Sequence, residues 1–370
     1  MKHRGMLIFR ERMRRNWSQE GLCRGICTVS YLSKIENGRA EPSEEILRLL
    51  LERLGLRTDP DMERTARAIS DEAWELLLSG RLGEFYSLAL DRHAETYRAA
   101  SAGLDLMLLC AGKPVEPALE DILSPRQLAL QRLLQGREDE AAALLPCAYC
   151  FWRQGTAAYE RGNDAAALES LQAGYDLAAR EGAPHLMLLC RMFIGNIYCN
   201  RQDMENLSRH YAVARRLARA LGDEDALSVM EYNTAASQME TGDYASPLAY
   251  FSRLEDPGAM ALHKLAICLE KTGRKEEALA ALDRAESAPC DFPPRDLVSG
   301  MCGIVRLRLL HGDYLSRADY GEQLVNLFER CRRELPAGYA RFHLPWMLEW
   351  LTANRRYRQA FELMQTFGGR

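Results

Sequence analysis

The sequence predicts an all-α chain: a small basic head followed by a long body of paired helices. Three observations predict it. Apolar residues recur at i, i+3, i+4 and i+7 along the length, and the alternation of β-branched residues that marks strands is missing. Short breaks punctuate the helices at near-regular spacing. Charge is unevenly placed: residues 1–57 hold twelve Lys and Arg against seven Asp and Glu, a balance of +5, and the rest of the 370 residues carry −9. A basic head on an acidic body is the asymmetry expected when one end meets a polyanion.

In the head, Trp17-Ser18-Gln19-Glu20-Gly21-Leu22-Cys23 reads as a short helix capped by Ser18. Gly21 and Cys23 stand where better helix formers are usual, which keeps it short. Arg24-Gly25-Ile26-Cys27-Thr28 is a tight turn, and Val29 to Gly38 is a second helix closed by that glycine. Leu22, Ile26, Leu32 and Ile35 have the spacing of one buried seam between the two. Ser43 caps a further helix. Two helices joined by a Gly turn, inside a basic unit of four or five helices, form a helix-turn-helix whose second helix fits a major groove. Leu56-Arg57-Thr58-Asp59-Pro60-Asp61 then interrupts the pattern. The expected division is a head over 1–57, a linker over 58–71 and a repeat body over 72–370.

The body is punctuated by Arg161-Gly162-Asn163-Asp164, Thr241-Gly242-Asp243, Thr272-Gly273-Arg274 and His311-Gly312-Asp313. Each break is expected to place a left-handed Gly past one helix, with Asp243 and Asp313 capping the next. Aligned on the turn Gly, a small residue stands seven positions earlier and an Ala or Leu about five later. Gly155…Gly162…Ala167, Ala235…Gly242…Leu248, Ala266…Gly273…Ala278 and Val305…Gly312…Ala318 follow this, and near Gly195 a Gln202 replaces the turn Gly. The reading is that antiparallel helices approach where small residues face each other. The pattern resembles the tetratricopeptide repeat, a helix–turn–helix unit that stacks into a right-handed superhelix. Units fall near 148–181, 185–221, 225–255, 259–287 and 297–333, with degenerate ones at 72–100, 103–123, 126–146 and 339–367.

Ser18-Gln19, Gly25-Ile26-Cys27, Ser30-Tyr31-Leu32-Ser33-Lys34-Ile35-Glu36-Asn37-Gly38 and Pro42-Ser43-Glu44-Glu45-Ile46-Leu47 together resemble the phage-repressor or XRE-type DNA-binding domain. The Gly-Ile-Cys turn is similar to that of the Rgg, PlcR and NprR group, the peptide-pheromone regulators of Gram-positive quorum sensing. There, such a head precedes a tetratricopeptide body that binds a short linear peptide. The resemblance implies a transcription regulator with double-stranded DNA and a short signalling peptide as partners. By position, Val29, Ser30, Tyr31 and Lys34 would read base edges, and Gln19, Thr28, Asn37 and Arg39 would meet phosphates. Arg10, Arg14 and Arg15 would add charge, and Arg12 would pair with Glu36. One helix-turn-helix covers few base pairs, so a homodimer is expected, joined near 56–71 or through the C-terminal units.

Peptide-holding tetratricopeptide proteins carry their gripping side chains at fixed offsets on the first helix of each pair. Here Arg153, Asn233 and Lys264 stand nine before their turn Gly, and Asn196 and Arg306 stand six before their turn residue. An Asn amide both donates and accepts, which suits a peptide unit; Lys and Arg suit a carboxylate. Tyr149, Trp152, Phe193 and Tyr232 are candidates for apolar ligand pockets. The alternative reading is an interaction scaffold whose head is not under peptide control.

No phosphate loop, His-Glu-x-x-His or nucleophile elbow is present, so no enzyme and no cofactor are expected. Cys147-Ala148-Tyr149-Cys150 lacks a second pair or a His cluster, and reads as packing thiols in a repeat helix rather than a metal or redox site. Eleven cysteines over so long a chain read as reduced thiols. No apolar run approaches a membrane span or a signal-peptide core, so a cytoplasmic protein without membrane partners is expected.

Overall fold

A computed structural model describes residues 2–56, 60–91, 105, 108–110, 112–114, 120 and 123–368. Among them helices and turns account for all regular structure, and no strand occurs. The chain divides into two compact units, Met1–Ala158 with Ala165–Cys190, and Tyr159–Asp164 with Arg191–Arg370.

The first unit opens with the head. Helices α1 (Lys2–Arg14), α2 (Gln19–Cys23), α3 (Val29–Glu36) and α4 (Glu44–Arg53) enclose a core of Ile8, Leu22, Leu32, Ile35, Leu47 and Leu50. Ile26 packs against its edge, so the seam expected between α2 and α3 forms. Each start is set by a hydroxyl cap: Ser18 accepts from the Gly21 N–H at 3.0 Å, Thr28 from the Tyr31 N–H at 3.2 Å, and Ser43 from the Ile46 N–H at 3.3 Å. Satisfying these otherwise unpaired amides contributes about 1 kcal/mol per cap. Arg53 ties the α2 end down by donating to the carbonyls of Leu22 and Arg24.

Pro60 opens α5 (Pro60–Ser79) in its first turn, where a missing N–H costs nothing. The stretch read as a linker is therefore helical from residue 60, and 57–59 lie outside the described residues. Next come α6 (Leu82–Asp91), α7 (Pro125–Leu134) and α8 (Glu138–Leu144). Asp105 joins α5 to α7, accepting from Trp74 Nε1 at 3.1 Å and Gln127 Nε2 at 2.9 Å. The unit expected at 126–146 is the α7–α8 hairpin; that at 72–100 falls on the end of α5 and on α6 up to residue 91, with 92–100 outside the described residues, and that at 103–123 lies largely outside them.

From α9 (Ala148–Glu160) onward the hairpins are regular: α10 (Asp164–Glu181), α11 (Pro184–Asn200), α12 (Met204–Leu221), α13 (Glu224–Glu240), α14 (Ala245–Ser252), α15 (Ala259–Lys271) and α16 (Lys275–Ser287). After them come α17 (Arg295–Leu310), α18 (Ala318–Glu334), α19 (Ala337–Ala353) and α20 (Tyr357–Gly368). At Gly155 and Gly195 the small residue does mark a helix crossing, but it faces a large partner, not another small one. A Cβ on Gly155 would lie 2.6 Å from Leu171, and one on Gly195 would lie 2.2 Å from the Tyr211 ring. Gly162, Gly242 and Gly273 are left-handed, as is Gln202 at φ 59°. Gly312 is not among the left-handed residues. There the connection contains a 3₁₀ turn, Tyr314–Ser316, which takes up the reversal. Asp243 caps as expected, accepting from the Ala245 and Ser246 N–H groups, whereas the Asp313 side chain makes no cap bond.

Candidate nucleic-acid interface and inner polar wall

The position of α3 rests on one buried ion pair. Arg12 on α1 donates Nε to Glu36 Oε1 at 2.6 Å and Nη2 to Glu36 Oε2 at 2.9 Å, and its Nη1 reaches the Trp17 carbonyl at 2.7 Å. Arg12 and Glu36 are 6% and 2% exposed. A bidentate guanidinium–carboxylate pair fixes angle as well as distance, so α3 is clamped against α1. The buried face of α3 is Leu32, Ile35 and Glu36, which turns Val29, Ser30 and Lys34 outward; Val29 is 43% exposed. Thr28 sits at the same exposed end with its hydroxyl engaged as the cap.

All but one of the other positions expected to meet DNA have partners within the head. Gln19 Nε2 donates to Glu36 Oε2 at 2.7 Å, making Gln19 a third member of the buried cluster. The half-buried Tyr31 donates its hydroxyl to the Glu41 carbonyl at 3.0 Å, holding the loop after α3. Exposed Asn37 caps the end of α3 and donates to the Ser33 carbonyl at 2.8 Å; Arg39 beside it is exposed. Arg14 and Arg15 converge on Glu11 at 3.0 and 2.5 Å, and Arg10 lies 3.7 Å from it. Burial pushes the Glu11 carboxyl up, but the Arg15 and Arg14 bonds and charges outweigh it and hold the group below its ordinary value.

Residues 8–60 match the helix-turn-helix family. Residues 8–60 are a helix-turn-helix domain. Within this domain α2 and α3 are the two helices joined by the turn. Over 32 residues the chain is 69% identical to the transcriptional activator NprA of Geobacillus stearothermophilus, a match spanning 9% of this chain and 8% of that protein. Among solved structures, Bacillus thuringiensis PlcR in complex with the peptide PapR7 and DNA aligns over 77% of this chain and 93% of its own, at 19% identity and a TM-score of 0.32.

The second unit carries a polar wall on its first-of-pair helices. The buried Tyr211 donates its hydroxyl to Asn196 Oδ1 at 2.5 Å, and Asn233 Nδ2 lies 3.1 Å from both Asn196 Oδ1 and the Tyr211 oxygen. The Asn196 amide hydrogens and the Asn233 amide oxygen take no part in this triangle. Cys199 Sγ lies 2.9 Å from Ser237 Oγ, with its thiol pushed up to about 11 by burial. Burial raises Glu240 to about 7 against the pull of Lys264, and lowers Lys264 to about 8 against the pull of Glu240. The Lys264 ammonium stands 3.0 Å above the Phe342 ring. From α19, Arg341 Nη1 donates to the Asn200 carbonyl at 2.6 Å, and Asn200 Nδ2 donates to the Tyr159 hydroxyl at 2.9 Å.

Of the five residues read as ligand-gripping, Asn196 and Asn233 touch, whereas Lys264 is buried with Glu240 and the Phe342 ring. Arg306 donates to Asp283 and Glu286 of α16 at 2.7 and 2.8 Å, and so belongs to a separate cluster. Arg153 is in the first unit, 4.0 Å from Glu138. Tyr149 and Trp152 are buried in that unit's core, and Tyr232 packs edge-on against Phe251, so these rings fill interior space. Tyr211, Glu240, Arg341 and Phe342 were not anticipated. Arg341 and Asn200 stand 141 positions apart, and no local pattern announces such a pair. Among the described residues no cluster of three metal-ligating side chains occurs, and no helix is long and apolar enough to cross a membrane.

Proposed function

We propose that the chain is a DNA-binding transcription regulator that acts as a homodimer and takes its signal from a short peptide held on the Asn196–Asn233–Lys264 wall. The observation that carries the first part is the outward N-terminus of α3, clamped by Arg12–Glu36. Val29 offers an apolar contact to a thymine methyl; Ser30 and Lys34 offer hydrogen bonds to base acceptors. Thr28, Asn37 and Arg39 flank them toward the backbone. For the second part, the Asn196 donor and Asn233 acceptor outside the triangle match the two polar groups of one peptide unit, and Lys264 matches a carboxylate. Peptide binding would change DNA affinity only as far as the peptide prefers one conformation of the chain over another, typically ~1–3 kcal/mol of coupling.

The test is fluorescence anisotropy on duplex DNA from upstream of the chain's own gene, read across salt. Phosphate neutralisation demands that log affinity fall steeply and linearly with log salt. Lys34→Ala is expected to weaken binding about tenfold and to reduce preference for that duplex over scrambled DNA. Undetectable or salt-insensitive binding by the folded chain rejects the regulator. In the same assay, Asn196→Ala with Asn233→Ala is expected to abolish any peptide response and leave peptide-free DNA binding intact.

A further inference from the structure

Helix α19 is two segments joined at a proline. Pro345 stands inside it and has no N–H to offer the Arg341 carbonyl one turn back. The segment after it, 346–353, is anchored against α18. Trp346, Met347, Trp350 and Leu351 are buried, and a Cβ on Gly321 would come within 2.4 Å of the Trp350 ring. The segment before it, 337–344, is held by a different set of contacts, on the wall read as the ligand groove. Arg341 donates to the carbonyl of Asn200, one turn beyond Asn196 on α11, and the Phe342 ring covers the Lys264 ammonium at 3.0 Å. Gly338 permits the approach, since a Cβ there would lie 2.2 Å from Asn200 Oδ1. As a result Lys264 is 7% exposed, while Asn196 and Asn233 stay half-buried. The contact is also incompletely paired. His343, its ring stacked 6.4 Å from that of His263 on α15, is buried, and its Nε2 has no hydrogen-bond partner among the described residues. A buried polar atom left in that state weakens the docking of the segment that carries it.

We propose that residues 337–344 are a plug in the chain's own ligand groove, hinged at Pro345, which the ligand displaces to reach Lys264. This rests on the reading that a short peptide binds along Asn196, Asn233 and Lys264. A ligand that bonds the two asparagines alone leaves the plug seated. One that brings a carboxylate to Lys264 replaces a ring–ammonium contact with a charge-assisted hydrogen bond, and Phe342 must leave for it to do so. Plugged and open chains are then two conformations between which such a ligand discriminates, which is what coupling to a distant site requires. The missing Pro345 N–H lets the first segment swing while the second keeps its place on α18.

The experiment compares the oxidised and reduced forms of the full chain carrying Gly338→Cys with Asn200→Cys. A Cβ at 338 lies 3.8 Å from the Asn200 Cα, within reach of a disulfide, and the Oδ1 that would obstruct it leaves with the asparagine. Mass spectrometry verifies the bridge and circular dichroism the fold. N-hydroxysuccinimidyl acetate then reads access to Lys264, with the exposed Lys271 and Lys275 as internal controls. Lys264 is expected to acetylate about tenfold faster in the reduced form than in the bridged one, and the controls at one rate in both. Equal rates at Lys264 would overturn the plug. In a second arm a synthetic pool of short linear peptides of random sequence, free at their carboxyl termini, is applied to both forms and to Phe342→Ala. Retention by the reduced form and by Phe342→Ala, lost on bridging, is the expected result. Retention that survives bridging would overturn the plug and leave the peptide reading standing. No retention by any form would reject the peptide reading, and the plug with it.

Discussion

His263 and His343 are fully buried with ring centroids 6.4 Å apart, among Phe342, Trp346 and the Lys264 ammonium. His343 Nδ1 lies 2.7 Å from the Tyr339 carbonyl, which fixes the neutral ring with its proton on that nitrogen. Burial pushes His343 down to about 4, with the Tyr339 carbonyl opposing and Lys264 adding to the shift. A depressed folded value means that the unfolded chain binds the proton more readily. Stability is therefore full above about 6.5 and is lost as pH falls toward 4. Between pH 7 and 5 the loss from this ring comes to about 2 kcal/mol. Glu240, raised to about 7, acts in the opposite sense over the same range, so the comparison is between variants rather than absolute. Urea unfolding of His343→Leu at the two pH values is expected to show an acid loss smaller by about 2 kcal/mol than in the parent; equal losses would mean the ring is not held neutral. Residue type at this scale was legible only in part. The pairing of Arg12 with Glu36 and the exposure of Val29, Ser30 and Lys34 follow from the helix-turn-helix pattern. That Gln19 joins the ion pair, and that Lys264 meets a ring 78 positions on, depends on side-chain directions that no local spacing encodes.

Helices, their caps and their crossings were more legible, because propensity, periodicity and capping act over a few residues. Ser18 and Ser43 start α2 and α4 as read, and the small residue seven before the turn marks a crossing at Gly155 and Gly195. Gly312 misled because the same dipeptide serves a left-handed cap or a 3₁₀ turn, and the choice is made by neighbouring helices. Helix α1 gave no comparable signal, yet it packs directly on α3. A Cβ on Gly5 would lie 1.9 Å from the carbonyl oxygen of Ile35, a backbone atom of α3 that has no rotamer to yield. Gly5→Ala must therefore move α1 away from α3, loosening the Arg12–Glu36 clamp without altering any side chain proposed to touch DNA. The expected cost is about 1–3 kcal/mol of head stability. Amide hydrogen exchange along α3 should accelerate, and affinity in the DNA titration should fall by at least tenfold. Unchanged exchange and affinity would mean that α1 does not position α3.

At the scale of the whole molecule the proposed homodimer requires a surface that brings two heads to one duplex. Helix α20 exposes Tyr357, Phe361 and Met364, which at i, i+4 and i+7 form one stripe, with Phe361 58% exposed. The Arg358–Glu362 pair, 2.9 Å apart, flanks the stripe with charge. Among the described residues nothing covers this apolar stripe with its charged edge. In the proposed homodimer a second copy presenting the same stripe about a two-fold axis would supply that cover and close the assembly. Phe361→Glu places like charges across such an axis, one from each copy, in a contact too apolar to solvate them. The variant is expected to sediment as a monomer at concentrations where the parent is dimeric. It should still bind duplex DNA, because the head is untouched, but through one head at a time. Each head releases its own counterions, so the slope of log affinity against log salt should fall to about half the parent value. A parent that sediments as a monomer would remove the homodimer altogether. A dimeric Phe361→Glu variant with the full slope would move the contact off α20, leaving the helices that begin at Pro60 as the place where the two copies meet.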